Sequence, residues 1–92
     1  MHSNFLLGTL KVTEAAQVKL KRVPLDLIAR HAVNDYGQVP LRVQRQNDMN
    51  MKRVGVIMSC YLIDPTDPAQ GRVLVITDEN WESTTVKLES EA

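Results

Sequence analysis

Pro24-Leu-Asp-Leu-Ile-Ala-Arg-His-Ala-Val-Asn-Asp-Tyr-Gly37 starts and stops like a helix. Proline suits a first helical position because its missing N–H would be unpaired there in any case, and glycine suits the left-handed residue that closes a helix. Between them Leu25, Ile28, Ala29, Ala32 and Tyr36 recur at helical spacing and predict one apolar stripe. His31 and Asp35 stand four residues apart, within reach of each other on a helix.

Upstream, Pro24 disfavours helical geometry at Val23, so a separate helix is expected before it. Thr13 caps Glu14 to Arg22, with Glu14 at the positive end and Lys19, Lys21 and Arg22 at the negative one. Val18 and Leu20 also alternate like a strand, but Thr-Glu-Ala-Ala opens a strand poorly, and the helix is preferred. Residues 5–12 alternate weakly and permit a first strand.

Downstream, residues 38–53 are polar and lack clean periodicity, and they read as a loop with at most a turn or two of helix between Leu41 and Met51. A structureless run of this length is unusual in a small domain and marks a functional loop. Arg53 to Ile63 is the strongest strand, and its two apolar faces predict a central position. Asp64 to Gly71, with two prolines, is a connecting loop. Arg72 to Thr77 and Ser83 to Leu88 complete a meander around a polar turn carrying Trp81. The predicted fold is a single α+β domain, residues 1–92, with two short helices on one face of a three- or four-stranded antiparallel sheet, in the order (β)-α-α-β-β-β. Residues 1–4 and 89–92 are expected to fray.

At 92 residues and 43% hydrophobic content there is one core, resting on aliphatic side chains because aromatics are few. The lone Cys60 makes no internal disulfide, and neither a signal-peptide core nor a membrane-spanning run is visible, which together point to a cytoplasmic chain with no membrane role. Net charge is zero, yet residues 1–53 carry nine Lys/Arg against four Asp/Glu (+5) and residues 54–92 two against seven (−5). Folding either preserves that polarity as a binding face or interleaves the halves and cancels it.

Chemistry is sparse. His31 and Asp35 begin a general-base dyad but lack a nucleophile, since Ser59 and Cys60 lie on an interior strand with no glycine-rich elbow before them. The alternative is structural, with His31 tying the helix to its surroundings. Two histidines, one at position 2, and one cysteine supply no closed metal site, and four scattered glycines supply no phosphate loop, so no cofactor is expected. Binding is a better prospect. Lys19, Lys21, Arg22, Arg30, Arg42, Arg45, Lys52 and Arg53 form a patch if the first helix and the 38–53 loop share a side, with Tyr36 the one nearby ring. Trp81 in an acidic turn suits a protein contact, or else folds back on the sheet edge. These residues favour a protein partner, with nucleic acid or a second copy of the chain as alternatives.

The runs Ala29-Arg30-His31, Asp35-Tyr36-Gly37, Asn47-Asp48, Ser59-Cys60-Tyr61, Val75-Ile76-Thr77 and Ser83-Thr84-Thr85-Val86 resemble a group of small bacterial proteins of plasmids and other mobile elements, described only as plasmid-related. Its members show Ala-Arg-His, Asp-Trp-Gly, Asn-Asp, Ser-Ala-Tyr and Thr-Thr-Val in the same order. Here Tyr36 replaces the tryptophan and Cys60 the alanine. The resemblance implies a mobile-element origin and no particular activity. The predicted order of elements is also similar to the layout of RelE/ParE-type toxins, whose catalytic residues lie late in a basic chain. This chain is acidic there, with only Arg72 and Lys87. The reading is thus a small non-catalytic interaction protein that inhibits or modulates a host or defence protein, the alternative being a toxin acting on RNA or on a host enzyme through His31 and Asp35.

Overall fold

A computed structural model describes residues 3–91. Strand β1 (Thr9–Val12) leads to three helices, α1 (Glu14–Leu20), α2 (Leu25–Ala32) and α3 (Leu41–Arg53). Strands β2 (Ile57–Leu62), β3 (Arg72–Thr77) and β4 (Ser83–Leu88) follow, with short 3-10 turns at Pro68–Gln70 and Glu89–Glu91. The class is α+β and the meander is as expected, but two features differ. The sheet is mixed, in the order β1-β4-β3-β2, because β1 joins β4 in parallel register, Leu10 beside Thr84 and Val12 beside Val86. A third helix replaces the 38–53 loop.

Thr13 caps α1 as its sequence suggests, its hydroxyl accepting from the Ala16 N–H at 3.2 Å. Helix α2 is shorter than the Pro24–Gly37 punctuation implies. Pro24 is its N-cap, and it ends at Ala32 in a Schellman arrangement: the Asn34 N–H reaches the His31 carbonyl and the Asp35 N–H the Arg30 carbonyl. Asn34, at φ 65°, takes the left-handed position expected of Gly37. Gly37 serves a different need. It runs beside β2 as an isolated bridge to Cys60, where a Cβ would sit 2.3 Å from the Cys60 carbonyl oxygen. The early ending also rotates the buried stripe: Leu27, Ile28, His31 and Ala32 face the sheet while Leu25 is exposed.

Helix α1 lies over β4 and α2 over β2 and β3. The sheet face they cover carries Ser59 and Tyr61 from β2, Val73, Val75 and Thr77 from β3, and Thr84 and Val86 from β4, all buried. Helix α3 packs along β2.

Strand β2 is not central but an edge, and its outer groups are taken by something other than a strand. Cys60 donates its N–H to the Tyr36 carbonyl (2.9 Å) and accepts from the Gln38 N–H (2.6 Å). The Asn47 side-chain amide closes both groups of Met58, accepting from its N–H at 3.0 Å and donating to its carbonyl at 2.8 Å. One turn on, Asn50 donates to the Val56 carbonyl at 2.8 Å. A covered edge cannot pair with another chain.

Near both ends, described residues make hydrogen bonds to the body of the fold. The Asn4 N–H donates to the Ala32 carbonyl at 2.8 Å, and the Glu91 carboxylate accepts from the Leu88 N–H and the Thr13 hydroxyl. Residues 1, 2 and 92, part of the expected fraying and including His2, lie outside the described residues. No helix among the described residues is long and apolar enough to cross a membrane.

Candidate functional site

His31 and Asp35 do not form a pair. The helix that was to align them stops at Ala32, so Asp35 leaves on the surface, where Arg30 holds it at 2.7 Å and keeps its carboxyl below the usual range. The Arg30 guanidinium also lies 4.5 Å over the Tyr61 ring.

His31 is fully buried beneath Phe5, whose ring meets it edge-on at 5.2 Å. Its Nδ1 lies 2.6 Å from the Ser59 hydroxyl and its Nε2 2.8 Å from that of Thr77, which contacts Thr84 at 2.7 Å. Thr84 donates to the Leu7 carbonyl, also at 2.7 Å. Counting protons orients the chain. Thr84 has spent its one hydrogen on Leu7, so Thr77 donates to Thr84 and accepts from Nε2–H, leaving Nδ1 to accept from Ser59. Burial holds the ring neutral, its pKa pushed down to about 4. Although Ser59 and His31 have the contact of a nucleophile and its base, neither is reachable by a substrate, for Ser59 and Thr77 are as buried as the imidazole. The cluster pins α2, the sheet and the N-terminal segment together. Cys60 is buried as well, and burial, with Glu89 nearby, pushes its thiol up.

Two of the expected contact residues turn inward. Tyr36 is buried in the cluster around Phe5, its hydroxyl accepting from Asn34 at 2.7 Å. Trp81 folds back: its ring is tilted against Phe5 at 5.6 Å, and its Nε1–H donates to the Gly55 carbonyl at 2.8 Å. It anchors the β3–β4 turn to the loop after α3.

The other four come together. Arg42, Arg45, Lys52 and Arg53 all lie exposed on α3, spread over its 13 residues with Asp48 as the one acid among them. Among the described residues none of the four enters an ion pair, whereas Arg22 and Arg30 are engaged by Asp26 and Asp35. Asn47 and Asn50, buried on the opposite side, fix the helix against β2, so its cations are presented from a rigid support. Sequence reasoning missed these two asparagines. Their i, i+3 spacing in a polar run was the available signal. Leu41 and Met49 stand exposed among the cations, and Val54 and Val56 just beyond the helix.

No family model, curated protein or solved structure matches the chain. The assignment of a site therefore rests on geometry alone.

Proposed function

We propose that this chain is a small, non-catalytic protein-interaction module of a bacterial mobile genetic element, acting on a host or defence protein through the outward face of α3. The observation that carries the reading is the set of four cations on one helix, free of ion pairs among the described residues and held in place by the Asn47 and Asn50 amides. Fixed charges of one sign steer and orient an acidic partner, and a helix already immobilised loses little further freedom on binding. The mobile-element origin rests on the residue resemblance. A toxin-like enzyme working through His31 and Asp35 is disfavoured, because one is sealed in the core and the other is held by Arg30.

The test places a photo-crosslinking amino acid at the exposed Gln46, on the same side of α3 as Arg42, and compares wild type with Arg42→Glu/Arg45→Glu in bacterial cells. A saturable adduct that the double reversal abolishes, at unchanged melting temperature, is the expected result. An adduct indifferent to the reversal, or none, refutes the reading.

A further inference from the structure

The outward face of α3 is not only basic. Arg42, Gln46, Met49 and Arg53 recur at i, i+4, i+7 and i+11 and form one row along the helix. Arg42 and Gln46 of that row also line a cleft of about 350 Å³ between α3 and the chain entering β2, lined as well by the Asn47 and Asn50 amides and, as apolar walls, by Val43, Val56 and Met58. Met49 is 52% exposed and Val56 42%, beside Val54 at 50%, so the row and the cleft offer apolar surface framed by a guanidinium at each end. Eleven residues of helix set the backbones of Arg42 and Arg53 roughly 16 Å apart, and the Arg53 Nε–H donates to the Asn50 Oδ1 at 3.3 Å.

We infer that this surface receives an acidic amphipathic helix of a partner protein, seated along the row with an apolar side chain in the cleft and carboxylates on Arg42 and Arg53. The occupant follows from three observations. Charge complementarity requires an acidic ligand, because Asp48 is the one acid on the helix. Nucleic acid makes poor use of the surface, since Met49, Val54 and Val56 give phosphates nothing and α3 carries no ring on which a base could stack. An extended peptide cannot add to the sheet here, because Asn47, Tyr36 and Gln38 already occupy the outer groups of Met58 and Cys60. A helix, which satisfies its own backbone and offers side chains at i, i+3, i+4 and i+7, matches what is left.

This inference rests on α3 being the interface, and the experiment separates the two. Three fluorescent probes are titrated with the whole protein: an 18-residue helical peptide with glutamates flanking an apolar stripe, a scrambled peptide of the same composition, and a 20-base-pair DNA duplex. The helical peptide is expected to bind saturably and about tenfold more tightly than the scrambled one, with Arg42→Glu and the isosteric Met49→Gln each weakening it about tenfold. Circular dichroism melts of both variants serve as the folding control. Equal binding of the two peptides, or indifference to Met49→Gln, overturns the inference by reducing it to unspecific charge. Tighter binding of the duplex overturns the partner class while leaving α3 as the interface. Indifference of every probe to Arg42→Glu removes both.

Discussion

His31 shows how one buried polar residue can hold a small fold together and expose it to acid. With a folded pKa near 4 against 6.5 for the free side chain, the native state resists a proton that the unfolded chain accepts. Stability is therefore full above about pH 6.5 and falls as pH drops toward 4, by about 3 kcal/mol across that window. Urea denaturation at pH 7.0 and 4.5 measures the loss, and His31→Gln, which has nothing to protonate, is expected to flatten the slope. His31→Ala at pH 7 leaves the Ser59 and Thr77 hydroxyls without their ring partner and opens a cavity, for an expected loss of about 3 kcal/mol or more. Val54 presents the opposite case. It is β-branched, half exposed, and held at φ 57° where α3 ends, a conformation glycine adopts without strain. Val54→Gly is expected to raise stability by about 0.5–1 kcal/mol in the same assay.

At the scale of elements, the α3–β2 junction depends on side-chain amides where another protein would use a strand. Asn47→Leu keeps the volume but leaves the Met58 N–H and carbonyl unpaired on an opened edge. The expected result is a loss of about 2–3 kcal/mol together with new self-association, read by denaturation and sedimentation velocity. The same junction marks where the sequence stopped being legible. Strands β3 and β4 were readable to the residue, because their Val- and Thr-rich runs are bounded by turn chemistry. So was the cap of α1 at Thr13. Helix α3 was not, for its inward face is Val43, Asn47, Asn50 and Met51, and half of that stripe is amide, which an apolar period does not register. The edge position of β2 was hidden for a related reason: coverage by Tyr36, Gln38 and Asn47 comes from distant residues and leaves no trace in the strand's own pattern. Helix α2 misled through its punctuation, because Gly37 answers to the close approach of Cys60 and not to the helix end. Of the expected site, Arg42, Arg45, Lys52 and Arg53 share the exposed side of α3, while Tyr36 and His31 are buried and Trp81 is half-buried against Phe5.

Over the whole molecule, each ion pair among the described residues stays within one half of the sequence, Arg22–Asp26 and Arg30–Asp35 in the +5 half and Arg72–Glu89 in the −5 half, so pairing cancels no charge between the halves. The halves meet instead where the Trp81–Gly55 hydrogen bond brings the acidic Asp78 to Glu82 turn next to the loop that follows α3. The four cations of α3 and, beside them, that acidic turn both stand outside the ion pairs of the described residues, on a chain whose formal net charge is zero at pH 7. A neutral particle with adjacent patches of opposite sign attracts its own copies when the Debye length is long and ceases to when salt shortens it to about 8 Å near 0.15 M. Light scattering at pH 7 is therefore expected to show net attraction in about 20 mM salt, fading by about 0.15 M. Arg42→Glu/Arg45→Glu replaces two positive charges by two negative ones, taking the net charge from zero to −4, and is expected to abolish the attraction at both ionic strengths. Attraction that persists unchanged in salt and in the double variant points instead to the exposed Leu41, Met49, Val54 and Val56, and shifts the weight of the interface from its cations to its apolar row.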